Sequence, residues 1–360
     1  MTQQERNKLA ARLAEMSRED VNKLYKQASG MRKRVPSRRR DEDDESPRRK
    51  TSLDEFILRL LDEERPAKRT LELRQGTAVW VGPQTVRVRW PGAEMEALLM
   101  GTRPAVGDEL TIGLTEDRKT WIVTKLHPRR TKLSRPDVDN VNLERVTVAN
   151  VDVIGIVVSV VAPPLHPRLI DRYLIAVQRG GALPILLVNK LDLLDDLSEL
   201  SVLSPYDDLG VPVFHCSTVD GRGIADVRAK LRGVTAAFVG HSGVGKSSLL
   251  NALYPQLELD TGEVSEWYGR GTHTTTASSL HEFADGTRLI DTPGIRSFGL
   301  WKMEPEELQW YFPEFGAFTC KFRDCSHSHE PGCGVRDAAE RGLFASVRYD
   351  TYLRLLEGDE

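Results

Sequence analysis

The segment Gly240-His241-Ser242-Gly243-Val244-Gly245-Lys246-Ser247 has the spacing G-x-x-x-x-G-K-[ST]. Glycines so placed let backbone N–H groups wrap phosphate oxygens; a lysine there reaches the outer two phosphates, and a serine hydroxyl can ligate magnesium. Ser248 follows and is counted with the same contacts. An apolar strand before the motif and a helical pattern after it supply the context the motif requires. Further on, Asp291-Thr292-Pro293-Gly294 ends a second apolar stretch. Its aspartate suits a water-mediated contact to magnesium, and the Gly294 N–H suits the outermost phosphate. Alone, D-x-x-G says little; downstream of a phosphate loop and at a strand end it is informative.

Between these two lies Gly269-Arg270-Gly271-Thr272-His273-Thr274-Thr275-Thr276, rich in glycine and threonine and without apolar periodicity. It reads as a switch loop in which one of Thr274, Thr275 or Thr276, with Thr275 the choice, joins Ser247 around magnesium. Upstream, Asn189-Lys190-Leu191-Asp192 follows an apolar strand and matches the N-K-x-D motif of GTPases. A carboxylate there accepts two hydrogen bonds from the guanine N1–H and exocyclic amine; adenine has no such donor pair, so GTP is selected over ATP. Cys216-Ser217-Thr218 lies where the loop contacting the guanine oxygen is expected, giving Ser217 and Thr218. The order is permuted, with base motif before phosphate loop. Strands that are neighbours in one sheet keep the same site when old ends are joined and the chain is cut elsewhere.

Of four cysteines, Cys216 stands alone, while Cys320, Cys325 and Cys333 fall close together with His327 between them. Cys320-x4-Cys325-x-His327-x5-Cys333 fits one tetrahedral structural zinc, with His329 as the rival fourth ligand. Metal would hold a small helical unit too poor in core to fold unaided.

Other elements must position these groups. The chain has 360 residues, 40% hydrophobic and 29% charged, which suffices for two or three domains. No apolar run is long enough to span a membrane and no secretory signal is apparent, so a cytoplasmic protein is expected. A net charge of -3 conceals 15 Lys/Arg against 9 Asp/Glu in residues 1–50, which leaves -9 for the remainder. A basic arm on an acidic body suits a polyanion such as RNA. Residues 1–70 form a charged N-terminal extension with too little apolar surface to order alone.

Short strands of period two, at 77–81, 85–90, 96–100, 109–113 and 120–125, place an OB-fold barrel over 71–127, with Trp80, Trp90 and Trp121 mostly in core roles. A basic linker follows at 128–142, and the basic run Lys125, Arg129, Arg130, Lys132 and Arg135 is expected to meet phosphate. From 143 to 298, buried apolar strands alternate with helices, predicting a mostly parallel sheet whose strand ends gather ligand. Residues 299–360 form the zinc-binding C-terminal domain. The fold class is thus an α/β P-loop GTPase with a circularly permuted G domain, an N-terminal OB-fold β-barrel and a small α-helical zinc domain.

With these residues in place, the chain resembles the small-ribosomal-subunit-dependent GTPases of bacteria, the RsgA family (also called YjeQ or YloQ). The likeness runs from about Glu72 to the C-terminus. It rests on the barrel, Asp171-Arg172-Tyr173, N-K-x-D ahead of the phosphate loop, the G-R-G-x-H-T-T-T loop and the Cys3His spacing. It implies 30S-stimulated GTP hydrolysis, a role in late 30S maturation and binding near the decoding region of 16S rRNA. Thr272 stands where many relatives have a basic residue, and the long arm is not carried over.

Hydrolysis needs a positioned water and charge stabilisation at the outer phosphate. Ile295 occupies the position after D-x-x-G, and a hydrocarbon cannot orient water. Slow intrinsic turnover is therefore expected, with Lys246 on the phosphates and His273 as candidate water-positioning group. Gly243 gives no support for potassium activation. The rivals are a permuted GTPase of the large subunit, which would lack the barrel and Cys3His module, a nucleotide-gated RNA binder without catalysis, and an ATPase. A monomer suffices.

Overall fold

The computed structural model describes residues 70–137, 143–259, 278–291 and 303–358. By contact the chain divides into two units, Met1–Glu72 with Leu114–Lys119, and Leu73–Gly113 with Thr120–Glu360. In the first, a turn is held by the Thr115 hydroxyl and the Lys119 N–H, both donating to Asp117 Oδ1, and by Arg118 N–H donating to Thr115 O at 2.8 Å. The second unit carries the functional motifs. The remainder of the charged extension expected over 1–70 lies outside the described residues.

Five strands build the barrel: β1 (Thr70–Val81), β2 (Thr85–Trp90), β3 (Ala93–Leu98), β4 (Glu109–Thr115) and β5 (Trp121–Leu126). Their order is β1-β2-β3-β5-β4, and a β1–β4 pairing closes it. Alternation along β2 explains its seat: Val86 and Val88 are fully buried beside Ala78, Leu110, Ile112 and Val123, while Arg87 and Arg89 point outward and pair with Glu94 across the β2–β3 ladder. Trp90 and Trp121 pack on this core with ring centroids 6.2 Å apart, and the Arg87 guanidinium lies 5.1 Å over Trp80.

The stretch expected as a basic linker contains a strand. β6 (Lys132–Pro136) pairs antiparallel with β7 (Glu144–Ala149) as a separate two-stranded sheet. Three of its cations pair with carboxylates, one of them buried. Arg129 grips the fully buried Asp108 through two bonds of 2.7 Å, Arg130 reaches Asp152 at 3.2 Å, and Lys132 reaches Glu144 at 2.6 Å. Of the cations expected to meet phosphate, Arg129 is committed to a buried carboxylate within the protein, while Arg130 and Lys132 keep exposed side chains.

The central sheet follows, with β8 (Val153–Ser159), α1 (Pro167–Arg179), β9 (Leu183–Asn189), α2 (Ser204–Asp208), β10 (Val213–His215), α3 (Ile224–Leu231), β11 (Thr235–Gly240), α4 (Lys246–Leu253), β12 (Ser279–Glu282) and β13 (Arg288–Asp291). The order is β10-β9-β8-β11-β13-β12, parallel except for β12. Both faces are covered, so β8 and β11 are buried at every position and read as continuous apolar runs. Ile170, Tyr173, Leu174 and Val177 of α1 pack on one face; Val227 and Leu231 of α3 and Leu249, Leu250 and Leu253 of α4 pack on the other.

The C-terminal helices are α5 (Pro305–Leu308), α6 (Gly334–Glu340) and α7 (Ser346–Leu356). Phe312, Phe315 and Tyr352 stack among them, and Ile175 of α1 joins this cluster from the G domain. Among the described residues no helix is long and apolar enough to cross a membrane.

Candidate functional site

The permuted motifs converge at one edge of the sheet. Gly240 ends β11, Asn189 ends β9, Asp291 ends β13, and Ser217 follows β10. The ladders set their levels: Gly240 pairs with Val157, Ser159 with Asn189, and Val188 with His215. Parallel strands thus deliver phosphate, base and magnesium motifs to the same carboxyl-terminal edge, the expected ligand crevice of such a sheet.

The phosphate loop turns from β11 into α4 through His241, Ser242, Gly243, Val244 and Gly245, and Lys246, Ser247 and Ser248 open the helix. Gly245 has φ +83°, and a Cβ there would collide with the Asn189 amide nitrogen. Two constraints therefore select glycine: the left-handed backbone and the close approach of a neighbouring strand. Val244 is buried, while Lys246 and Ser247 are half-exposed.

Asn189 reaches across from β9 and donates to Val244 O at 3.0 Å, with Gly245 O at 3.4 Å. Its side chain ties the base motif to the phosphate loop, a contact that spacing alone does not disclose. Its Oδ1 is buried without a protein partner, an uncommon state that a bound ligand would relieve. Lys190 adopts φ 63° and sends its ammonium to Ala162 O at 2.7 Å, laying its stem beside the loop. Leu191 is buried, and its N–H bonds to Cys216 O. Asp192 accepts from the Ser217 hydroxyl at 2.7 Å, and Ser217, fully buried, accepts in turn from the N–H groups of Val219 and Asp220. The chain places Ser217 as the clamp that orients the Asp192 carboxylate. Thr218 beside it is half-exposed. Cys216 is a core residue; burial pushes its thiol up to about 11. In the same loop the hydrogen bonds from Arg222 hold the Asp220 carboxyl down at about 2.

Asp291 ends β13, which pairs with β11 on the side opposite β8. His273, Thr274, Thr275, Thr276, Gly294 and Ile295 lie outside the described residues.

Cys320, Cys325, His327 and Cys333 come together with all four ligand atoms within 4.8 Å of one another and could hold one metal ion. Cys320 Sγ lies 3.4 Å from His327 Nδ1 and 3.9 Å from Cys333 Sγ, and Cys333 Sγ lies 3.7 Å from His327 Nδ1. His329 is not in this set; its Nδ1 bonds to Ser328 Oγ. His327 has φ 60°, fixed by Tyr349 donating to its carbonyl at 2.7 Å and by the Phe315 ring set edge-on to the imidazole. Arg336 N–H donates to Cys333 Sγ at the start of α6.

A buried ion network joins this module to the G domain. Asp171 on α1, fully buried, accepts from Arg348 of α7 at 2.7 Å; Arg348 also binds Glu314 at 2.6 and 3.2 Å and the Tyr311 carbonyl at 3.1 Å. Burial pushes the Asp171 carboxyl up, against the opposing pull of Arg348. Nearby, Arg179 and Glu307 form a bidentate pair at 2.8 and 3.0 Å.

Comparison with known proteins agrees with this geometry. A family model described as RsgA GTPase matches residues 126–301. The small ribosomal subunit biogenesis GTPase RsgA 1 of Vibrio vulnificus (strain YJ016) is 46% identical over 242 residues, covering 66% of this chain and 68% of its own. The RsgA of Gemmatimonas aurantiaca is 39% identical over 254 residues, covering 70% and 83%. Among solved structures, YjeQ from Thermotoga maritima superposes with TM-score 0.63 at 30% identity, covering 80% of this chain and 99% of that one. YloQ, described as a circularly permuted GTPase, gives 0.59 at 26%, covering 81% and 96%. On these identities and coverages, the chain belongs to the RsgA GTPase family.

Proposed function

We propose that this GTPase acts in the late maturation of the small ribosomal subunit, binding the 30S particle and its 16S rRNA and hydrolysing GTP to GDP and phosphate with ribosome-stimulated turnover. The observation that carries the nucleotide half is the Asn189 amide bonded to the phosphate-loop carbonyls, which sets the guanine motif and the phosphate motif at one crevice. The ribosomal half draws on the relatives' shared name, small ribosomal subunit biogenesis GTPase.

In this reading the N–H groups from Gly240 to Ser248 and the Lys246 ammonium hold the phosphates, while Asp192, steadied by Ser217, accepts from the guanine. Ser217 and Thr218 meet the guanine oxygen through the backbone. Ser247, with Thr275 or a neighbouring threonine, and Asp291 through water, would hold magnesium. Magnesium supplies charge neutralisation on the outer phosphate oxygens when bound. His273 is the candidate for orienting the attacking water, since Ile295 has no polar atom to do so.

The four C-terminal ligands suit zinc. Tetrahedral Zn–S and Zn–N bonds place ligand atoms about 3.6 to 3.8 Å apart, against 3.4, 3.7 and 3.9 Å here. All four positions are filled by protein, so the role is structural. A monomer in the cytoplasm completes the reading.

GTP turnover measured with and without 30S subunits tests the proposal; equal rates would leave a nucleotide-binding switch and remove the stimulated enzyme. Asp192→Asn should weaken GTP binding about a hundredfold or more, since charge-assisted hydrogen bonds are worth about 1.5 to 3 kcal/mol each. For His273→Ala, an unchanged stimulated kcat would end the catalytic assignment.

A further inference from the structure

A basic cavity lies beside the phosphate loop, formed mainly by residues outside the nucleotide motifs. It encloses about 400 Å³ between the first half of α1, the phosphate-loop residue His241 and the last turns of α7. Its polar lining is cationic or neutral: Arg168, Arg172 and Arg354, the imidazoles of His166 and His241, and the Thr351 side chain. Leu169 and Leu355 supply apolar wall, and among the described residues no carboxylate lines it.

Arg168 and Arg172 bring two guanidinium groups from one helix to the same cavity, and neither loses its charge at any ordinary pH. Elsewhere in this unit several buried or half-buried arginines face carboxylates: Arg348 meets Asp171 and Glu314, Arg129 meets Asp108, and Arg179 meets Glu307. Arg172 differs. Its Nε is buried and has no hydrogen-bond partner in the protein, which leaves a desolvated cationic donor unmatched.

We infer that this cavity binds a phosphate group, through Arg172 and Arg168 of α1 with Arg354 of α7. Guanidinium forks match phosphate oxygens in pairs, which lysine would not do, and the volume admits a phosphate with part of the group it esterifies. The bound anion would contact the phosphate loop through His241 and the C-terminal module through α7, bridging two parts of the chain that meet at the Asp171–Arg348 pair. The phosphate could belong to an RNA backbone or to a free phosphorylated small molecule; the recognition chemistry is the same. The inference stands on the cavity and does not require the ribosomal reading.

The test uses the full chain saturated with magnesium and a nonhydrolysable GTP analogue, so that the phosphate loop is filled. Inorganic phosphate is then titrated and followed by 31P NMR. One further phosphate site is expected in the wild type, with affinity reduced about tenfold in Arg172→Gln by loss of a charge-assisted bond. The exposed Arg168→Gln should weaken it in the same direction without risk to folding, and analogue affinity should be unchanged in both. No additional phosphate bound by the wild type, or equal binding by wild type and both variants, would overturn the inference. Affinity for 30S subunits identifies the source. If both variants lose it and 30S displaces phosphate, the ligand is an RNA phosphodiester; if 30S affinity is untouched while phosphate binding falls, it is a small molecule. A wild type that takes up phosphate but not 30S would fail the ribosomal reading alone.

Discussion

The G domain is joined to its two neighbours by different physics. Toward the barrel, the junction is largely backbone: Ala149 N–H donates to Val106 O at 2.9 Å, Val106 bridges Val148, Trp80 of β1 pairs with Ser279 of β12, and Asn150 donates to Gly107 O. Toward the C-terminal module the described contacts are side chains, namely the Asp171–Arg348 pair, the Arg179–Glu307 pair and Ile175 among the aromatic residues. Backbone ladders keep their geometry through most substitutions. A junction of a few charged side chains has its strength concentrated in single residues, and it can be released or remade as a unit.

The sharpest way to separate the two is through the metal proposed for the Cys3His set. A chelator strong enough to strip the Cys3His set should unfold the C-terminal module, because binding energy at a closed site of this kind is folding energy. The barrel and sheet should keep their structure. Thiol titration reads this directly: Cys320, Cys325 and Cys333 should become reactive together, while Cys216, fully buried with its thiol pushed up to about 11, stays silent until the G domain itself unfolds.

Next in size is Arg348→Met. Removing one partner of a buried ion pair costs about 3 to 5 kcal/mol, and here it strands both Asp171 and Glu314. The deficit should depend on pH. Arg348 is what pulls the Asp171 carboxyl down against burial, so without it the folded-state value rises further above the unfolded one. Stability contributed by such a group is present below its unfolded value and lost as pH rises through the folded one. The melting-temperature gap between wild type and variant should therefore widen toward neutral pH and narrow in acid. A pH-independent gap would mean that lost packing of Arg348 over Phe312 dominates instead.

Much of the site was legible because its chemistry is local. Gly240 to Ser247, Asn189 to Asp192 and the Cys3His spacing each sit within a dozen or so residues, where type and interval constrain the reading. What escaped is tertiary. Arg129 looked free to meet phosphate because Asp108, its partner, lies 21 residues earlier, just ahead of β4; Arg348 and Asp171 are separated by most of the catalytic domain. β7 escaped for a different reason: Glu144-Arg145-Val146-Thr147-Val148-Ala149 has only a short apolar stretch, and its pairing with β6 supplies what its composition does not. Choice between His327 and His329 also needed coordinates, since backbone direction at φ 60° brings the former inward.

On the barrel side, Arg129→Ala tests a charged contact in a junction that is otherwise largely backbone. Asp108 is fully buried but also accepts from Ala105 N–H at 2.7 Å, and Arg129 is part-exposed, so the cost should fall below that of Arg348→Met, at about 1 to 3 kcal/mol. Denaturant titration followed by tryptophan fluorescence would report it. A loss matching that of Arg348→Met would show that the barrel junction also concentrates its strength in one side chain.

The smallest effect belongs to Arg179→Ala. Its pair with Glu307 has good bidentate geometry, yet both side chains keep roughly a quarter of their surface in water, at 28% and 23%. Screening and the entropy of holding two long chains leave such a pair about 0.5 to 1 kcal/mol. Tyr311 donates to the same carboxylate at 3.1 Å, so Glu307 is not left bare when the arginine goes. The measured change should shrink further in high salt, whereas that of Arg348→Met, shielded from solvent, should not. If the salt responses of the two variants coincided, the C-terminal junction would be one electrostatic surface and not a buried pin with a solvated flank.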